Sequence, residues 1–193
     1  EPAFAGQQTE FRLMVERSKQ RHHYALYLKW PTSSESLVSL IADDSVNIQL
    51  HMAVDKRGWF NPGRLLLEST YPLGLLRCWT WIDLDLHAMV YPRPLASTDR
   101  MGDSLRQVHW KGLAKGQGVQ TKQYTAYADR SVWLDWDLFP GTGTEQRLSH
   151  LCYWVLEFDR RREEYGLRLP GVVIGPAVGE KHRDRVLKEL ALY

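Results

Sequence analysis

The side chains of this 193-residue chain that chemistry would draw on first are its seven histidines, two cysteines and 23 acidic residues. Asp135 and Asp137 stand near the end of an apolar stretch that leads through a loop into a helical pattern, where α/β proteins often place metal-holding or catalytic carboxylates. They are the candidate pair for a divalent-metal-dependent enzyme or a ligand-binding domain. The flanking Trp133 and Trp136 instead suggest a plain alternation of core and rim, and no third ligand follows at a telling spacing. His22 and His23 are neighbours on a predicted strand, so they point to opposite faces and cannot hold one ion together. His51, His87, His109, His150 and His182 form no His-x-Glu or His-Glu-x-x-His pattern, and Cys78 and Cys152 form no Cys-x-x-Cys. No metal and no cofactor is therefore expected. Ser104, Ser131 and Ser149 lack the Gly-x-Ser-x-Gly context of a nucleophile elbow, and Cys152 lies inside an apolar helical stripe, away from a thiol-activating helix start. Gly141-Thr142-Gly143-Thr144 sits where a phosphate cradle would, without the Lys-Ser/Thr of a P-loop, and reads as a turn with a cap. Catalysis is not the expected function, and no catalytic residue is assigned.

The stretch 102–111, Gly-Asp-Ser-Leu-Arg-Gln-Val-His-Trp-Lys, differs in kind. Asp103 caps a short helix through Leu105, Val108 and Ala114, closed by Gly116. Arg106, Trp110 and Lys111 gather two cations and a large aromatic on it, the residue types that anchor interfaces. Asp103, Arg106, Trp110 and Lys111 are thus the candidates for partner docking, or for a junction between domains.

Two kinds of element must position these residues. Up to about residue 95 the apolar residues alternate with period two: Phe11, Leu13 and Val15; Tyr24, Leu26, Leu28 and Trp30; then Val46, Ile48, Leu50, Met52 and Val54. After turns at Gly58, 61–63 and 71–74, a long strand is predicted with Cys78, Thr80, Ile82, Leu84, Leu86, Ala88 and Val90 on one face. About six strands with short turns predict an antiparallel, immunoglobulin-like β-sandwich over 1–95. From 96 to 193 the period changes to a small α/β part. Strands are expected at 119–126 and 131–138, and a helix opens with Thr142 and Glu145 at capping-box spacing and buries Leu148, Leu151, Cys152, Val155 and Phe158. Gly166 is expected to end that helix, and Arg160–Arg162 to be answered by Glu163 and Glu164. Short strands at 167–169 and 172–174 precede a last helix over 180–193 burying Val186, Leu187, Leu190 and Ala191. The fold class is α+β.

With 25 basic against 23 acidic residues, the net charge of +2 builds no field for nucleic acid, so none is expected as partner. No run of eighteen apolar residues spans a bilayer. The chain begins without methionine and enters strand pattern almost at once, which reads as the soluble part of a longer protein. A sandwich of this kind can also take a peptide by strand addition at an open edge.

The residues 102–115, GDSLRQVHWKGLAK, resemble the Gly-Asp-x-x-Arg-x-Ile-x-Trp-Lys-x-x-Ala-Arg/Lys signature of the domain of unknown function 58 family, with Val108 in place of isoleucine. Arg57-Gly58, YPLGLLRCW at 71–79, VYPRP at 90–94, YGLRLPG at 165–171 and the ending LKELALY are similar to further blocks of that family, so the resemblance covers nearly the whole chain. It implies a bacterial inner-membrane protein whose two N-terminal transmembrane helices precede this segment. It further implies a β-sandwich and a reduced von Willebrand A-like part facing the cytoplasm, and partnership with a MoxR-type AAA+ ATPase and a transglutaminase-like membrane protein. The family's activity is unassigned, and the resemblance implies an interaction or scaffold module in envelope-protein maturation. Two departures stand out: Asp135-Trp136-Asp137-Leu138-Phe139 lacks both hydroxyls of the von Willebrand A Asp-x-Ser-x-Ser, and only 95–101 joins the Tyr-Pro-x-Pro block to Gly-Asp.

Overall fold

Period-two alternation over residues 45–54 becomes β5 (Ser45–Val54), whose Ile48, Leu50, Met52 and Val54 are buried while the residues between them face solvent. It pairs antiparallel along its whole length with β2 (Gln7–Glu16), setting Phe11 beside Leu50 and Thr9 beside Met52. The computed structural model that shows this describes residues 2–17, 22–31, 33, 36–40, 44–96 and 132–193. The helix expected from Asp103 and the strand expected at 119–126 lie outside the described residues. So do Asp103, Arg106, Trp110 and Lys111. The protein is α+β, with twelve strands and two α-helices among the described residues. It divides into two compact units, residues 1–93 with 191–193, and residues 94–190.

In the first unit, β1 (Ala3–Phe4), β9 (Ala88–Tyr91) and β6 (Gly58–Phe60) form one three-stranded sheet in the order β1-β9-β6. A second sheet runs β4 (Ser36–Leu40), β3 (His23–Lys29), β7 (Leu65–Ser69), β8 (Cys78–Ile82). The core joins the β2–β5 pair to that four-stranded sheet through Phe11, Ile48, Leu50 and Met52 on one side and Leu28, Trp30, Val38 and Leu65 on the other. Trp30 is pinned there by a hydrogen bond from its indole Nε1 to the carbonyl of Gly63, 3.1 Å, and lies 5.2 Å from the Phe11 ring.

Three expectations for this half need correction. The pairing is not wholly antiparallel, since β1 and β9 run parallel. Tyr24 does not share the buried face of Leu28 and Trp30, because Ala25 at φ +48° and a register shift between His23 and Leu26 break the alternation, leaving Tyr24 exposed. The long strand predicted from 78 to 90 is two strands in two sheets. Asp83 Oδ1 accepts the backbone N–H of Asp85 at 3.2 Å, and Asp85 adopts φ +46°, so an aspartate turn ends β8 and redirects the chain into β9.

In the second unit, β10 (Val132–Asp135) runs parallel to β11 (Tyr165–Leu169), and α1 (Thr144–Arg161) lies between them in sequence; β12 (Val172–Ala177) returns antiparallel on β11. α1 buries Leu148, Leu151, Cys152, Val155 and Phe158, with Trp154 added to the expected stripe, and α2 (Glu180–Leu192) buries Val186, Leu187, Leu190 and Ala191. Rings link the elements: Phe158 of α1 stacks on Tyr165 of β11, and His182 of α2 meets Tyr165 edge-on at 4.8 Å. His182 Nε2 is 2.8 Å from the Tyr165 carbonyl, which can only accept, so that nitrogen carries the proton.

Local details differ from expectation here too. β10 stops at Asp135, and Trp136–Leu138 is a 3-10 turn. Gly143, not Thr142, caps α1; the Thr142 hydroxyl instead donates to the Phe139 carbonyl at 2.8 Å. Arg162, in the left-handed conformation at φ +56°, ends α1 by giving its N–H to the Asp159 and Phe158 carbonyls, while Gly166 sits inside β11. Arg160 and Arg161 pair with Glu157, one turn back.

Candidate functional site

Asp135 is the N-cap of the 3-10 turn. Its Oδ1 accepts the backbone N–H of Asp137 at 3.2 Å, so one carboxylate organises the backbone that carries the other. Among the described residues no three His, Cys, Asp or Glu side chains converge into a group that could hold a metal ion. His150 sits near this turn, its Nδ1 2.9 Å from the Leu95 carbonyl and its ring 5.0 Å from Phe139, and Arg147 lies over the Trp136 ring at 4.6 Å. These contacts fix a turn, with aromatic and cationic faces packed together.

The surface with the strongest chemical character lies in the first unit. β8 is the last strand of its sheet among the described residues, and four of its five residues, Cys78, Trp79, Thr80 and Trp81, are exposed. Pairing with β7 sets Trp79 opposite Glu68 and Trp81 opposite Leu66, and pairing of β7 with β3 continues these rows to Tyr27 and Lys29. The face opposite Leu28, Leu65 and Leu67 thus carries Tyr27, Lys29, Glu68, Trp79 and Trp81, with Leu66 buried among them. The loop before β8 presents Leu73, Leu75 and Leu76, the last two 81% exposed, and Tyr71, which stacks on Tyr24 with ring centroids 4.8 Å apart. Leu84, beyond β8, is exposed as well.

The one charged residue between Thr70 and Trp81 is Arg77. Its Nε donates to Glu68 Oε2 at 2.8 Å, Lys29 Nζ approaches Glu68 Oε1 at 3.5 Å, and the guanidinium lies 5.8 Å from the Trp79 ring centroid. The Arg77 hydrogen bond, with the Arg77 and Lys29 charges beside it, holds the Glu68 carboxyl below the usual carboxylate range despite the opposing effect of burial. With the folded value depressed, the stability this contributes is present above the ordinary carboxylate pKa and is lost as pH falls through the lowered one. At neutral pH the face therefore carries an ion-paired Glu68 beside two tryptophans.

The sequence reading did not single out this surface. It assigned 71–74 to a turn and Cys78, Thr80 and Ile82 to one face of a long strand. The signal it passed over is Leu75 and Leu76 beside Gly74, apolar residues at a turn apex where polar ones belong unless a partner covers them.

A scan against models of protein families, a search of curated proteins and a search of solved structures find no match to the chain. No helix among the described residues is long and apolar enough to cross a membrane.

Proposed function

We propose that the chain is the soluble part of a membrane-tethered interaction module, facing the cytoplasm from an inner-membrane anchor. In this reading it serves as scaffold or adaptor for a MoxR-type AAA+ ATPase in envelope-protein maturation, with a transglutaminase-like membrane protein as a further partner. The observation that carries the interaction part is the exposed apolar surface formed by Tyr71, Leu73, Leu75, Leu76, Trp79, Trp81 and Leu84. Leucines and tryptophans grouped so closely on one edge mark a surface that another molecule covers. The choice of partner is supported by the order of sequence blocks that resemble the domain of unknown function 58 family, with Asp103 holding a helix start and Arg106, Trp110 and Lys111 docking or joining domains.

The same reading takes the first unit as an immunoglobulin-like sandwich and the second as a reduced von Willebrand A-like layer. In support, the first unit's core lies between β2–β5 and the four-stranded sheet, and in the second unit α1 connects the parallel strands β10 and β11.

Co-purification of the intact membrane-anchored protein with its MoxR-type ATPase tests the reading. The parent recovers the ATPase, and an Arg106→Ala/Trp110→Ala variant with an unchanged circular dichroism spectrum recovers roughly tenfold less, as loss of interface anchors implies. Equal recovery from both removes the docking role. The competing reading, a divalent-metal enzyme or ligand binder built on Asp135 and Asp137, is favoured instead if Mg²⁺, Ca²⁺ or Mn²⁺ gives saturable heat in calorimetric titration.

A further inference from the structure

We infer that β8 pairs antiparallel with β8 of a second copy of this chain, about a two-fold axis at Thr80, joining two four-stranded sheets into one. This rests on the reading of the chain as an interaction module, and is independent of any ATPase partner. β8 contains no proline and no charge within Cys78–Ile82, and its far side carries no paired strand among the described residues. Edge strands that must stay solitary are usually blunted by a lysine, a proline or a bulge. Here the charges stand only at the two flanks, and they are of opposite sign: Arg77 before the strand and Asp83 after it.

That arrangement is self-complementary. A two-fold axis at Thr80 sets Thr80 against Thr80, Trp79 against Trp81, Cys78 against Ile82, Arg77 against Asp83 and Leu76 against Leu84. Every apolar residue meets an apolar one, and each cation meets an anion. Neighbouring registers lose this. An axis at Trp79 sets Arg77 against Trp81 and Asp83 against Leu75, and an axis at Trp81 sets Asp83 against Trp79. An axis between two residues would join the outward face of one sheet to the core face of the other, since cross-strand neighbours share a face. In the Thr80 register both outward faces continue into each other, and the tryptophans of the two copies form one row. Arg77 then lies between Glu68 of its own chain, to which it already donates, and Asp83 of the second copy. An interface of nine residues a side is small, so its dissociation constant belongs on the order of micromolar.

Sedimentation velocity of the 193-residue chain over a concentration series tests this. The parent shows a monomer–dimer equilibrium. Arg77→Asp places like charges at both ends of the pairing, as does Asp83→Arg, so each variant alone dimerises on the order of tenfold more weakly. An equimolar mixture of the two restores two opposite-charge pairs per dimer, and it recovers the parental affinity, which misfolding of either variant cannot produce. Thr80→Arg, at an exposed position that sets arginine against arginine on the axis, abolishes dimerisation on an otherwise intact fold. A chain that stays monomeric throughout the series, single variants that dimerise like the parent, or a mixture that shows no recovery each overturns the proposal. So does a monomer that co-sediments with phosphatidylglycerol vesicles, since the leucines and tryptophans would then belong to a lipid contact. None of these outcomes depends on the ATPase, so failure here leaves the co-purification result to be judged separately.

Discussion

Cys152 lies on the buried stripe of α1, where loss of hydration pushes its thiol up to about 12, whereas Cys78 stands exposed on β8. The thiolate is the reacting form, so burial suppresses Cys152 twice, by chemistry and by access. Titration of the dilute native chain with an aromatic disulfide near neutral pH is expected to release one equivalent of thiolate quickly and a second only after denaturant is added. Two equivalents released at the same rate would show that α1 opens readily. The Asp135 carboxylate likewise accepts the backbone N–H of Asp137, a contact that spacing alone could not foretell. Tyr165 has a buried hydroxyl with no hydrogen-bond partner among the described residues, and burial, followed by the Asp159 charge, raises its pKa. It packs against Phe158 and His182.

At the scale of elements, β10, β11 and β12 are fitted together at Gly166. A Cβ there would come within 2.8 Å of two Trp133 ring atoms and 3.0 Å of the Ile174 carbonyl. Arg168 also packs on Trp133, its guanidinium 3.9 Å from the ring centroid. Gly166→Ala is therefore expected to destabilise the chain by about 1–3 kcal/mol in urea unfolding, the usual cost of overfilling a packed site. An unchanged midpoint would mean that Trp133 moves freely. This glycine also shows where the sequence was legible and where it was not. The buried positions of β5, α1 and α2 follow from periodicity, because one face of each element is dry and the other wet, and Val186, Leu187, Leu190 and Ala191 are all buried as expected. Gly166 was read as a helix stop because glycine suits that place, yet close approach of the Trp133 ring demands it equally. Interruptions were illegible for a related reason. The alternation from Cys78 to Val90 continues unbroken in the letters, and only the local bond between Asp83 and Asp85 divides it into two strands. The apolar edge of β8 was missed because alternation tells which residues share a face, and says nothing of whether anything in the chain covers that face.

For the whole molecule, the consequential feature is the side of β8 that carries no paired strand among the described residues. An uncharged edge bearing Trp79 and Trp81, flanked by Arg77 and Asp83, is costly to leave in water, and its pattern matches itself in reverse. In the proposed assembly each chain brings one such edge. Amide hydrogen exchange over residues 78–82, followed from dilute to concentrated chain, reads that edge directly. The amides directed away from β7 are expected to exchange fast when dilute and to become protected as concentration rises, while those bonded to β7 stay constant. Exchange over β8 that is slow at every dilution, or fast at every concentration, would contradict the account.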